Sequence, residues 1–252
     1  MQSRGSLCRT QGKCVHIRAS HSLALYLDSR YMLCLTFFAT SRSAIQCVAI
    51  RHAKSAQRLG VDAISMDGFD CAGHPGEYDI GNWVLFAIAA RELEIPFIAS
   101  GGCADGKQLA AALCMGAEGM NMGTRWMATV EAPIHENVKR ALVDGDEHST
   151  ALVMRSMKNT ERVYRNEAAE NVIALEEAHP GDFSKIAHLV RGDNYRKVFQ
   201  ETGDLNDGVW SAGTCMGLIE DIPTCDELTR RIVEEAETVI SQRLPSLLVD
   251  DA

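Results

Sequence analysis

The sequence predicts an α/β fold built from parallel βα units, and three observations predict it. Short apolar segments without polar alternation recur, each followed by a stretch of helical period. Two of these segments run straight into glycine, at Gly101-Gly102 and at Gly123-Thr124. A third opens into a loop with four glycines, Asp67–Gly81. Strand, helix, strand, helix at roughly 25-residue spacing is the signature of a β/α architecture, and glycine at the strand ends points to a TIM-type (β/α) barrel, which gathers its site there.

Each element follows from its residues. Ile45–Ile50 reads as a short buried strand. Arg51–Leu59 is a helix with Ala53, Ala56 and Leu59 on one side, stopped by Gly60. Val61–Met66 is the second strand, and Asn82–Glu94 the second helix. Ile95–Ser100 is the third strand, with Pro96 near its start, where the missing N–H does least harm. Asp105–Met115 is a helix with Asp105 and Gln108 spaced as a capping box, ended by Gly116. Gly119–Met122 is the fourth strand, and Pro133–Val143 a further helix. Residues 144–222 read as polar helical stretches broken by His179-Pro180-Gly181, Gly192-Asp193-Asn194 and Gly203-Asp204. A last helix opens with Thr224 and Glu227 as a capping box, carries Leu228, Ile232, Val239 and Ile240 at helical spacing, and ends at Leu244-Pro245.

Residues 1–43 carry no clear period. Four further βα units at about 25 residues each would need about 100. The expected barrel is therefore incomplete: residues 44–252 supply the last four βα units plus a C-terminal helical region, after a divergent N-terminal segment, 1–43. An open parallel half-sheet leaves a strand edge unpaired. The expected cover is a makeshift strand from residues 31–40 (YMLCLTFFAT) or a second copy of the chain in a homo-oligomer.

Bulk properties narrow the partners. The formal net charge is -9 and the pI about 5.4, so the phosphate field of nucleic acid repels the chain. The apolar run 31–40 is far shorter than the roughly 20 residues a bilayer span needs. Nine cysteines, an odd count with no CxxC pair, read as reduced thiols of a cytoplasmic protein. Cys8, Cys14, His16 and His21 match no common zinc spacing, so no metal is expected.

The candidate chemistry sits at three strand ends. Glycine lets backbone N–H groups approach a phosphate, and a helix start adds free donors. Gly101-Gly102 and Gly123-Thr124 therefore read as a phosphate grip, with the Thr124 hydroxyl as donor and Arg125 as a source of charge. In the third loop, DGFDCAGHPGE, His74 stands between Gly73 and Pro75 at the same mouth, where an imidazole can take a proton near neutral pH. Cys71 and Cys103 flank these loops and read as small buried residues.

Three stretches, RHAKSAQRLGVDAISMDGFDCAGHPGE, IPFIASGGCADGKQLAAALCMGAEGMNMGTRWMAT and WSAGTCMGLIEDIPTCDEL, resemble the nitronate monooxygenase (2-nitropropane dioxygenase-like) family, from about Ile45 to the C-terminus. The resemblance implies FMN, with its phosphate held by Gly101, Gly102, Asn121, Met122, Gly123 and Thr124, and its ring lined by Asp67 and by Ala72 or Gly73. It implies His74 as the base that takes the α-proton of a nitroalkane, with dioxygen as co-substrate and a carbonyl compound and nitrite as products. One departure is Thr214, in SAGT, where the family usually has glutamine. Two other readings fit the same scaffold: a truncated, non-catalytic phosphate-binding remnant, and a flavin-dependent enoyl-thioester reductase.

Overall fold

The computed structural model describes residues 43–248. The expected cover strand, 31–40, and the candidate zinc ligands at 8, 14, 16 and 21 lie outside the described residues. Four strands, β1 (Ala44–Cys47), β2 (Ala63–Asp67), β3 (Phe97–Ser100) and β4 (Met120–Asn121), form one parallel sheet in the order β1-β2-β3-β4. The register pairs Gln46 with Ser65, Asp67 with Ser100, and Ser100 with Asn121. Helices α1 (Ile50–Arg58), α2 (Asn82–Glu92) and α3 (Gly106–Cys114) link successive strands. The parallel βα order is as the sequence predicts.

Boundaries differ where apolar runs cross from one element into the next. The first strand stops at Cys47, and Ile50 already begins α1. An unbroken apolar run carries no period that separates strand end from helix start. Asp105 caps α3 through the full capping box with Gln108.

Because side chains alternate across a strand, the sheet has two unlike faces. Cys47, Ile64, Met66, Phe97 and Ala99 point to one side and pack with Ala53 and Ala56 of α1 and Leu85, Phe86 and Ala89 of α2. Gln46, Ser65, Asp67, Ser100 and Asn121 share the other side by register. A helix-covered apolar face opposite a polar one is how a barrel wall is built.

Past the sheet come α4 (Thr124–Met127) and α5 (Glu136–Asp144), the latter capped by His135 rather than started at Pro133. The stretch expected to be only helical holds an antiparallel hairpin, β5 (Thr150–Val153) with β6 (Glu161–Tyr164). Its connection turns on two left-handed residues, Met154 (φ 58°) and Lys158 (φ 53°). Nothing in the composition of ERVY or TALV separates such a hairpin from helix, and its turn uses neither Asn nor Gly at those positions. Helices α6 (Glu167–Ala178), α7 (Phe183–Ile186) and α8 (Gly192–Arg196) follow. Two apolar clusters lie here: Val153, Val163, Val172 and Ile186 form one, and Trp210, Leu142, Met216 and Val198 the other, with Tyr164 stacked on Trp210 at 4.4 Å.

The last helix, α9 (Cys225–Thr238), is capped by Thr224 as expected and buries Leu228, Ile232 and Ala236. Leu228 and Ile232 pack with Cys103 and Met122, beside the third and fourth strand ends. Gly106 allows this approach. A Cβ there would lie 2.6 Å from Glu235 Cβ and 2.8 Å from the Ala236 nitrogen, while its N–H donates to Glu235 Oε2 at 2.8 Å. Gly106→Ala is expected to push α9 off α3 and lower the unfolding free energy by about 1–3 kcal/mol. Urea unfolding of the variant beside the parent checks this; an unchanged midpoint would mean that α9 gives way without cost.

Candidate active site

The polar face of the sheet converges on Asp67, the last residue of β2. Its side chain is 2% exposed. Gln46 donates to Oδ2 from the neighbouring strand, and Ser100 of β3 stands beside Asp67 in the register. Oδ1 is buried without a partner. Burial pushes this carboxyl up to about 6, against the downward pull of the Ser100 and Gln46 hydrogen bonds. Asn121 extends the polar row, donating from Nδ2 toward Ser100 Oγ at 3.2 Å and Ser65 Oγ at 3.4 Å.

Just beyond this row the backbone turns on glycine. Gly101 and Gly102 both take left-handed φ, 90° and 67°. A Cβ on Gly101 would sit 2.9 Å from the Gly68 carbonyl, and one on Gly102 2.6 Å from Asp70 Cβ. The two glycines thus let the β3 loop nest against the β2 loop. Gly123, after β4, is different: its φ is -113° and a Cβ there would meet nothing within 4 Å. The Cβ direction of the first pair meets a wall and that of Gly123 meets open space.

The β2 loop is fixed from the far side by the hairpin. Arg162 of β6 is buried, and it donates to the Phe69 carbonyl from Nη2 (2.9 Å) and Nε (3.3 Å) and to Thr150 Oγ1 from Nη1 (3.1 Å). Its guanidinium lies over the Phe69 ring at 4.7 Å. Burial lowers its pKa, opposed by the nearby Asp70 carboxylate. Gly73 exchanges both backbone hydrogen bonds with Arg162. His74 is carried with it: the ring is exposed, and Nδ1 lies 3.0 Å from the Thr160 carbonyl oxygen.

A third segment closes the group. Thr214 donates to the Asp70 carbonyl from its N–H (3.2 Å) and its hydroxyl (3.3 Å). A Cβ on Gly213 would touch the Asp70 carbonyl, the Ala72 nitrogen and Thr124 Oγ1 at 3.1–3.3 Å. Arg162, Gly213 and Glu77, whose carboxylate binds Thr160, carried no local sequence signal, because each acts on a residue dozens of positions away.

Several expected roles change. Thr124 is buried, and its hydroxyl accepts the Gly213 N–H at 2.9 Å, so it braces the segment at Gly213. Arg125 is not a free cation for a phosphate: its guanidinium is buried on Asp221, at 2.8 Å, and on the Ala128 and Asp221 carbonyls. Met122 turns its side chain into the core with Leu228 and Ile232, away from the polar face. Ala72 stays half-buried beside Gly73, whose backbone is already paired.

The cysteines at the mouth are dry. Burial pushes Cys103 and Cys215 up to about 12 and Cys71 higher still, so none is a thiolate at neutral pH. A cleft of about 650 Å³ lies on the helix side of these loops, lined by Trp83, Phe86, Gly102, Cys103, Met115 and Thr214 among others. Among the described residues, no group of three or more His, Cys, Asp or Glu is placed to hold a metal, and no helix is long and apolar enough to cross a membrane.

Asp67 gives a direct test of this electrostatic picture. Its folded-state pKa is raised, so the folded chain binds the proton more tightly than the unfolded chain. The stability it contributes is full below about pH 4 and is lost as pH rises through about 6, a change of about 3 kcal/mol. Carbon-13 NMR of the aspartate carboxyls is expected to find one titrating near 6 that disappears in Asp67→Asn. If every carboxyl titrates near 4, the buried site is hydrated.

Comparison with known proteins agrees with this architecture. The chain is 29% identical over 222 residues to the (3aS,4S,5R,7aS)-5-hydroxy-7a-methyl-1-oxo-octahydro-1H-indene-4-carboxyl-CoA dehydrogenase of Rhodococcus jostii (strain RHA1), covering 75% of this chain and 62% of that protein. It is 26% identical over 200 residues to the nitronate monooxygenase of Paraburkholderia phytofirmans (strain DSM 17436 / LMG 22146 / PsJN), covering 77% and 54%. Among solved structures it resembles FabK from Thermotoga maritima, with a TM-score of 0.76, 29% identity, and coverage of 82% of this chain and 64% of that one. The chain thus spans about six-tenths of the length of these relatives. The nitronate monooxygenase family model matches residues 38–235. This chain belongs to the nitronate monooxygenase family.

Proposed function

We propose that the chain carries the base and the phosphate grip of an FMN-dependent nitronate monooxygenase, which oxidises nitroalkanes or their nitronates with dioxygen to carbonyl compounds and nitrite. The observation that carries the reading is the placement of His74. It stands on the loop after β2, its exposed ring anchored through Nδ1 to Thr160, and the Gly101-Gly102 turn packs on Gly68 and Asp70 of that same loop.

The residues present fit a flavin phosphate and ring. Gly101 and Gly102 bring backbone to within contact of Gly68 and Asp70, and Gly123 leaves space on the other side. The charge on a phosphate would be met by backbone N–H groups, including those of Gly123 and Thr124, because Arg125 is held by Asp221. Asn121 and the unpartnered Asp67 Oδ1 lie on the polar face where the ring would be lined. FMN, when bound, supplies the electron chemistry between substrate and dioxygen.

What the chain itself does is proton transfer and orientation. A neutral nitroalkane is a carbon acid and needs a base within hydrogen-bond reach. A carbonyl oxygen only accepts, so the neutral His74 ring carries its proton on Nδ1, and Nε2 keeps the lone pair that takes the α-proton. The Nδ1–H bond to Thr160 then stabilises the imidazolium that forms.

A second reading has its own support. The carboxyl-CoA dehydrogenases of Rhodococcus jostii and Mycobacterium tuberculosis are each 29% identical to this chain, against 26% for the Paraburkholderia phytofirmans nitronate monooxygenase. Thr214 stands where a nitronate monooxygenase usually has glutamine, and it binds the Asp70 carbonyl. An acyl-thioester substrate with an acidic α-carbon would use the same base. Turnover on an acyl-CoA with none on nitroalkanes would select this reading.

Two variants test the first. His74→Ala is expected to lower turnover on neutral nitroalkanes by about 10²–10⁴-fold while leaving preformed nitronates nearly unaffected, since these need no base; equal losses on both would remove the role. Gly123→Asp is expected to abolish FMN retention, read as loss of the visible flavin spectrum after excess cofactor is removed. The new side chain meets no protein atom at its Cβ, so the fold should stand, and retained flavin would place the phosphate elsewhere.

A further inference from the structure

The hydrogen bond that fixes the His74 tautomer has a support of its own. Thr160 is 1% exposed and is gripped at both donors by one carboxylate: its N–H donates to Glu77 Oε1 at 2.8 Å, and its hydroxyl donates to Glu77 Oε2 at 2.6 Å. Glu77 lies only three residues after His74. Between them the loop is stiff and tightly turned, with Pro75 flanked by His74 and by Gly76 at φ 81°. The loop therefore clasps the residue before β6 from two sides, with imidazole on its carbonyl and carboxylate on its N–H and hydroxyl. Glu77 is exposed and has no ion-pair partner among the described residues, so Thr160 accounts for its hydrogen bonds.

We propose that Glu77 is a positioning residue for His74: by holding Thr160 it fixes the carbonyl that keeps the imidazole in its Nδ1–H form and aims Nε2 outward. The chemistry follows from hydrogen-bond inventory alone. Without a fixed acceptor at Nδ1, a neutral imidazole exchanges its proton between the two nitrogens, and the form protonated on Nε2 cannot accept a proton there. A carboxylate that binds the N–H and the hydroxyl of one residue fixes that residue's Cα position and side-chain rotamer, and so narrows the directions its carbonyl, in the next peptide unit, can take. The outer partners that orient a metal-bound histidine change affinity or activity by about 10- to 100-fold when lost, and the same scale is taken for an orienting partner of this imidazole. This rests on reading His74 as the base.

The experiment is nitrogen-15 NMR of the histidine ring in the full chain loaded with FMN, with the His74 signals assigned by their absence in His74→Ala. Parallel turnover measurements use a neutral nitroalkane and its preformed nitronate. The parent is expected to show His74 as the Nδ1–H tautomer. Glu77→Ala should move it toward the mixture of a free imidazole and lower nitroalkane turnover about 10-fold or more, with nitronate turnover and flavin retention within about twofold. Glu77→Gln, which keeps an acceptor for the Thr160 N–H, should recover most of both readouts. An unchanged tautomer in a folded Glu77→Ala overturns the proposal, as does a changed tautomer with unchanged nitroalkane turnover. Should Glu77→Ala fail to fold, Thr160→Val removes the hydroxyl link but keeps the carbonyl, and a parent-like tautomer and nitroalkane turnover in that variant overturn the proposal. If His74→Ala itself leaves nitroalkane turnover intact, the base reading fails, and the ring signal alone then decides whether Glu77 governs the tautomer.

Discussion

The arrangement at the strand ends depends on one buried cation. Arg162 reaches from the hairpin under the β2 loop and is satisfied there by neutral groups, the Phe69 carbonyl and the Thr150 hydroxyl, and by the face of the Phe69 ring. Desolvating a guanidinium is costly, and hydrogen bonds with good geometry are what make it tolerable. Once Arg162 is seated, its backbone pairs with Gly73 on both sides. That pairing sets where the next residue, His74, emerges, and brings Thr160, the residue before β6, within reach of its ring. A loop of this length without such an anchor would sample many conformations and hold His74 in no fixed position.

The two faces of the sheet are unlike for a physical reason. Apolar residues of β1, β2 and β3 are covered by α1 and α2, and this face supplies the driving force for folding. The opposite face carries the polar row Gln46, Ser65, Asp67, Ser100 and Asn121. Asp67 is the costly member, a carboxyl held near pH 6 by burial with one oxygen unpartnered. Unsatisfied buried polar atoms are rare in folded proteins and concentrate where something functional is bound. The cysteines nearby show the contrast: the same burial makes them inert, because a neutral thiol needs no partner.

The glycine turns belong to the same logic. Gly101 and Gly102 have no room for a side chain, since the β2 loop occupies that space, whereas Gly123 has room but no neighbour. The neighbouring Thr124 and Arg125, which look like ligands for an anion in the sequence, are used to hold other parts of the chain: Thr124 braces Gly213, and Arg125 ties α4 to Asp221, which Arg231 of α9 also binds. What the two residues leave beside Gly123 is backbone, with no free charged side chain from Arg125.

The sequence by itself determined the parallel βα order, the capping of α3 and α9, the glycine turns after β3 and β4, and the position of His74 on the loop after β2. These are local properties, set by periodicity, caps and glycine within a few residues of each other. Tertiary structure alone decided the rest. The hairpin β5–β6 was not legible, because its strands are short and its turn lacks the usual residues. The occupation of Thr124 by Gly213, of Arg125 by Asp221 and of Thr160 by both His74 and Glu77 joins residues 83 to 96 positions apart. A hydrogen-bond donor is the same residue type whether it faces a ligand or another part of its own chain, and only the folded chain decides which partner it meets.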